Sequence, residues 1–205
     1  MVCDITKEED CNKVLSEGLK KFGRFDVLIN NARNLLSDDH IEFWKARPQF
    51  WEQSIRVNVY GTFLMSRAVA PHLMKNGWGR IVNVSTGVDT MQRRLNAPYG
   101  VTKAAIDAET AIWSKELTGT GVTVNTILPG GSCETGVRKR PPLSGKKLLS
   151  AEVMVPPAVW LSSDLSDGHT GERYVGRLWD TSLPPAEAAK KAQEPSAIRS
   201  DPNGM

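Results

Sequence analysis

The chain has 205 residues, 40% of them hydrophobic and 24% charged, which suits one globular domain with a substantial core. A net charge of +3 is too small to argue for a nucleic-acid or membrane-surface partner, and no apolar run reaches the roughly 18 residues of a membrane-spanning helix. Cys3, Cys11 and Cys133 are odd in number and not at metal-ligand spacing, and Met1–Asp4 lacks the basic region and apolar stretch of a secretion signal. A reduced, cytoplasmic setting without a metal is expected, with Cys3 in the core and Cys11 and Cys133 incidental.

Met1–Cys3 reads as the end of a strand. Thr6-Lys7-Glu8-Glu9 has the form of a capping box, and a helix is expected from it to about Lys21, closed by Gly23. Phe25–Asn30 is a short apolar run between turn signals, the pattern of a buried parallel strand. Asn34–Arg47 is polar and irregular. Phe50–Met74 carries apolar residues at helical spacing, with Pro71 inside the pattern as a possible kink. Arg80–Ser85 is the next buried strand. A loop over Thr86–Asn96 leads to a helix that starts at Pro98, where a missing N–H costs nothing, and ends near Thr118.

Val122–Leu128 is a further strand, closed by Pro129-Gly130-Gly131. Val137–Ser150 is a basic loop. Glu152–Leu161 reads as a helix and Gly171–Trp179 as a last short strand. A marginal helix is expected over Ala186–Gln193, inside a tail of 181–205 poor in large apolar residues and expected to be poorly ordered. Strand and helix alternate throughout, so the expected fold class is α/β, a parallel sheet sandwiched by helices. Ligands of such sheets bind at the carboxyl ends of the strands. Asn30-Asn31-Ala32, Ser85-Thr86 and Pro129-Gly130 all fall at such ends.

One stretch carries chemistry. Tyr99 and Lys103 are four residues apart at the head of an alanine-rich helix, so phenol and ammonium share a face. A neighbouring ammonium stabilises the phenolate, which makes the tyrosine a proton donor or acceptor usable nearer neutral pH.

In this company the pair resembles the signature of the short-chain dehydrogenase/reductase family over roughly residues 1–180. Asn30-Asn31-Ala32 is similar to the family's Asn-Asn-Ala-Gly strand end. Asn58, in Val57-Asn58-Val59, is similar to its helix asparagine. Gly79–Thr86 is similar to the strand carrying its catalytic serine, Tyr99 and Lys103 to its Tyr-x-x-x-Lys pair, and Pro129-Gly130 to the motif after its sixth strand. The resemblance implies a Rossmann-like domain over 1–180, a cofactor that is NAD or NADP, and hydride transfer between an alcohol and a carbonyl. It implies Tyr99 as acid/base, Lys103 holding the nicotinamide ribose, and Asn58 holding a relay water. The helices around Asn58 and Tyr99 would pack into a homo-dimer or homo-tetramer. Asp4, Asn31, Ala32, Pro129, Gly130 and Thr135 are the further cofactor contacts it implies.

Three positions depart from the family. Its serine stands thirteen residues before the tyrosine, which is Thr86 here, so Thr86 is the expected hydroxyl and Ser85 the alternative. Arg33 replaces a glycine; the expectation is a solvent-facing side chain, the alternative a contact with a cofactor phosphate or an anionic substrate. The glycine-rich Gly-x-x-x-Gly-x-Gly turn is absent, as though the first strand-helix-strand unit were lacking. That leaves two alternatives to an active oxidoreductase: an impaired fragment, or a non-catalytic oligomerising scaffold. It also leaves Val27–Asn30 as an edge, and leaves NAD against NADP undecided. Arg138-Lys139-Arg140 with Lys146-Lys147 reads as a solvated loop, or as a feature favouring an acidic substrate.

Overall fold

A computed structural model describes residues 1–34, 41–136, 147–196 and 198. The basic stretch 138–140 and Lys146 lie outside these residues. Helix α1 (Glu8–Phe22) is followed by strand β1 (Val27–Asn30), α2 (Pro48–Ile55), a π-helical turn at Arg56–Tyr60, and α3 (Gly61–Asn76). Strand β2 (Gly79–Val84), the short α4 (Val88–Met91), α5 (Tyr99–Glu116) and β3 (Val122–Leu128) come next. A two-residue ribbon, β4 (Cys133–Glu134) with β5 (Leu149–Ser150), precedes α6 (Val155–Leu161), β6 (Arg173–Val175), α7 (Pro185–Ala192) and β7 (Gln193–Glu194).

The main sheet has the order β1-β2-β3-β6-β7, parallel except for the last pair. Alternation along β2 and β3 sends side chains to two cores. Ile81, Val122 and Val124 meet Val69 and Leu73 of α3 and Leu117 beyond α5. Val82 and Ile127 meet Trp160 and Leu161 of α6, Tyr174 and Ala189 on the other side. Both faces of the central strands are therefore covered, so even their polar residues Arg80, Asn83, Thr123, Asn125 and Thr126 are buried. The expected α/β sandwich, Rossmann-like in form, is the observed one.

Several local expectations give way in the structure. Met1–Cys3 forms no strand: Val2 is 98% exposed, and the Asp4 amide donates to the Asp10 carboxylate at 2.9 Å. Thr6 does not cap α1. Its amide and hydroxyl both donate to Asp4 Oδ1, so the helix begins one residue past Lys7. Gly23 closes α1 with φ +82°, as expected. Cys11, not Cys3, is the fully buried cysteine. The long pattern from Phe50 divides at the π-turn, whose wider spacing lets apolar residues on both sides keep facing the core. The strand expected over Gly171–Trp179 shrinks to three residues because the chain turns into a 3₁₀ turn at Gly176–Leu178.

The C-terminal side of the chain is tied in more tightly than its composition implies. Ala188, Ala189 and Ala192 of α7 are buried, and β7 pairs with β6. Small side chains let the helix lie close against Trp160 and Tyr174, so residues 185–194 continue the domain past 180. At the other side, β1 is an edge strand among the described residues, with Ile29 44% exposed.

Ala189→Asp should lower unfolding stability by about 2 kcal/mol or more, because it places an unpaired carboxylate in the second core. Urea denaturation followed by tryptophan fluorescence measures this; an unchanged midpoint would show that α7 is dispensable.

Candidate active site

The carboxyl ends of β1, β2 and β3 define one rim, and the elements that follow them carry the expected residues. The rim is held by a polar ladder. Asn30 Nδ2 donates to Asn83 Oδ1 at 2.9 Å and to Ser66 Oγ of α3 at 3.0 Å. Asn83 Nδ2 donates to Thr110 Oγ1 of α5 at 2.9 Å, and Thr126 Oγ1 of β3 donates to the same oxygen at 3.2 Å. Three strands and two helices thus meet through buried groups that each have partners, which is the condition for burying them at all.

Tyr99 opens α5, and Gly100 makes that start possible. A side chain on Gly100 would stand 2.1 Å from the carbonyl oxygen of Met91, so only glycine lets α4 and the first turn of α5 touch. Lys103 lies one turn on, 4% exposed, with Nζ 6.0 Å from the centre of the Tyr99 ring. Its ammonium donates to the carbonyl of Val84, the last residue of β2, at 2.7 Å. In return Ser85 Oγ donates to the Lys103 carbonyl at 3.4 Å. The first turn of α5 is thereby bolted to the end of β2. Burial, and secondarily the Arg33 charge, pull Lys103 down from the usual lysine value near 10.5 to about 8.

The two candidate hydroxyls differ in what they do. The strand has ended at Val84, so the alternation of strand residues no longer applies to Ser85 and Thr86. Ser85 is buried and engaged with Lys103; Thr86 is half-buried. The Thr86 carbonyl accepts from Arg173 Nη2 at 3.1 Å. Arg173 is 2% exposed and pairs with Asp107 of α5, with Glu194 of β7 3.7 Å away. The backbone of Thr86 is therefore fixed, relative to the helix that carries Tyr99, by a buried arginine that sequence reading missed. Its one visible signal was a charged residue at the head of a short apolar strand.

Asn58 sits in the π-turn and is 2% exposed. Its Oδ1 accepts the backbone N–H of Asn34 at 2.7 Å, and its Nδ2 donates to Thr102 Oγ1 at 3.0 Å. Thr102, also missed, donates onward to the Tyr99 carbonyl at 2.8 Å. Its main-chain carbonyl accepts from Thr62 Oγ1 at 2.8 Å, so side chain and backbone are both held by protein.

Asn31, Ala32 and Arg33 are exposed beyond β1. Arg33 does not simply point away to solvent: its guanidinium carbon lies 6.0 Å from the centre of the Tyr99 ring. Pro129 and Gly130 follow β3, where Gly130 turns with φ +82° and Pro129 accepts the Arg177 N–H at 3.1 Å. Thr135 is exposed past β4. Asp4 is exposed before α1, its carboxyl held below the usual range first by the Thr6 hydroxyl and amide. Among the described residues no group of His, Cys, Asp and Glu is placed to hold a metal, and no helix is long and apolar enough to cross a membrane.

The short chain dehydrogenase profile matches residues 1–142. The chain belongs to the short-chain dehydrogenase family. An oxidoreductase of Staphylococcus epidermidis is 30% identical over 169 residues, covering 82% of this chain and 72% of that one. L-fucose dehydrogenase of Bos taurus is 34% identical over 130 residues, 63% of this chain. The chain spans about half the length of two curated relatives it matches, 51% and 47%. Among solved structures, ElxO with NADP bound superposes with a TM-score of 0.74 at 27% identity, over 83% of this chain and 73% of that one. A short-chain dehydrogenase rim is therefore the setting of the Tyr99–Lys103 pair.

Two outcomes follow from the buried groups. Arg173→Met should cost about 3–5 kcal/mol, because it strands the Asp107 carboxylate in the core, and adding Asp107→Leu should recover much of the loss. Calorimetric melting of the single and double variants tests this. Lys103 holds fewer protons folded than unfolded between about pH 8 and 10.5, so its contribution becomes more favourable as pH rises through that window. Urea unfolding at both ends should show that rise in the wild type and a smaller one in Lys103→Met.

Proposed function

We propose that the chain is the catalytic part of an NAD(P)-dependent oxidoreductase that interconverts an alcohol and a carbonyl, with Tyr99 as acid/base. The observation that carries this reading is the buried Lys103 beside Tyr99 on a family rim. An ammonium has three donors. Among the described contacts one is used by Val84, which leaves donors for the ribose hydroxyls of a nicotinamide nucleotide. The donor set fits that half of the cofactor. The glycine-rich phosphate turn has no counterpart among the described residues, and the first turn of α1 carries Glu8, Glu9 and Asp10, which repel an anion.

When bound, the nicotinamide supplies the hydride. In the reducing direction Tyr99 gives its hydroxyl proton to the substrate oxygen, so the carbonyl becomes an alcohol and the phenol a phenolate. The Lys103 ammonium stabilises that phenolate from one turn away. The Thr86 hydroxyl, its backbone held by Arg173, donates to the same substrate oxygen and polarises the carbonyl. Ser85 acts through Lys103. Asn58 holds a water that relays protons between solvent and Lys103. Asp4, Asn31, Ala32, Pro129, Gly130 and Thr135 line the cofactor path. The cofactor is NAD or NADP, and neither is favoured by a described residue.

Self-association belongs to the same reading. Tyr60, Phe63, Val101 and Ile112 are apolar and partly exposed on and beside α3 and α5, the helices through which family members pair. Static light scattering should give a dimer or tetramer.

Tyr99→Phe should remove turnover of a carbonyl substrate while NADPH affinity, read by nucleotide fluorescence, stays within about twofold. Unchanged turnover would refute the role of Tyr99. A wild type that binds no nucleotide at millimolar concentration would leave only the impaired-fragment or scaffold readings, and retained oligomers would select the scaffold.

A further inference from the structure

We propose that Arg33 is a substrate-binding residue that gives this site a preference for carbonyl compounds carrying a carboxylate, such as short keto acids and their hydroxy-acid products. The proposal rests on the oxidoreductase reading above and adds the charge class of its substrate.

Two cations flank the Tyr99 ring at the same distance. The Arg33 guanidinium carbon and the Lys103 ammonium both lie 6.0 Å from its centre. They differ in access: Lys103 is 4% exposed and anchored to β2, whereas Arg33 is an exposed residue at the open end of β1. Among the described residues no carboxylate pairs with Arg33. Among the described residues, Glu42 pairs with Lys45 and lies 4.0 Å from Arg94. Arg33 and Lys103 repel each other, which is the second cause, after burial, of the lowered Lys103 pKa.

A short-range excess of positive charge on the open side of a reacting group favours an anion there. A guanidinium adds geometry, because its planar fork matches a carboxylate through two parallel hydrogen bonds. An acid so held beside Tyr99 has its carbonyl oxygen within reach of the phenol when the two groups are a few bonds apart. The family motif carries glycine at this position, so the motif itself does not supply this charge. A phosphate of the dinucleotide carries the same charge class, and the test separates the two sources.

The test compares acetoacetate with its neutral ethyl ester. Binding of each is measured by ligand-observed NMR on the wild type, Arg33→Gln and Arg33→Lys, alone and with NADP, where no reduction can occur. Circular dichroism confirms that the variants fold, as an exposed position predicts. The wild type should prefer the acid over the ester by about tenfold or more, as for a charge-assisted hydrogen bond. Arg33→Gln should abolish that preference and Arg33→Lys should restore part of it.

A preference that is absent in the wild type, or equal in wild type and Arg33→Gln, overturns the proposal. So does an intact preference in Arg33→Gln accompanied by weaker NADPH binding, which would assign the charge to the dinucleotide. Acid preference without any NADPH-dependent turnover in the wild type would uphold the anion site and refute the oxidoreductase reading, so the two failures are distinguishable.

Discussion

The joint between the end of β2 and the first turn of α5 is what the rest of the site depends on. Lys103 reaches back to the Val84 carbonyl while Ser85 reaches forward to the Lys103 carbonyl. Each bond involves a group with almost no access to water, so neither has a solvent partner to replace it. An ammonium buried in this way is costly, and its proton is correspondingly easier to lose. The same burial that strains the charge fixes where it stands relative to Tyr99.

Around that joint the structure adds two further ties, one from each side. From the β1 side, Asn34, Asn58 and Thr102 form a relay of hydrogen bonds that ends on the Tyr99 carbonyl. From the β6 side, Arg173 connects Thr86 to Asp107 on α5 and to Glu194 on β7. The second tie explains why the C-terminal segment matters. Residues 185–194 close the second core and also carry a charge into the network behind the candidate hydroxyl. A chain cut at 180 would lose both.

Family membership and the geometry support one another without being the same statement. The match to the short-chain dehydrogenase family covers residues 1–142, while Arg173 and Glu194 lie beyond it. They tie the C-terminal side of the domain to the rim, where Arg173 holds the Thr86 carbonyl.

Local sequence determined the alternation of helix and strand, because apolar runs bounded by turn residues leave few other ways to bury β2 and β3. It also placed Tyr99 and Lys103 on one helical face and Asn30-Asn31-Ala32, Thr86 and Pro129-Gly130 at strand ends, since these are matters of spacing. Tertiary structure alone decided which hydroxyl is occupied and which is left half-buried, because that depends on where β2 stops rather than on residue type. It alone revealed Arg173 as a partner of Thr86, a contact between residues far apart in the chain that no period encodes. The fate of Thr6 and Met1–Cys3 was local but not periodic: Asp4 and Asp10, close in sequence, capture donors that a capping box or a strand would have used. Tertiary structure also decided the position of Arg33. A side chain after a strand end is free to reach solvent in sequence terms, and only the packing of α5 against that rim brings an aromatic ring beneath it.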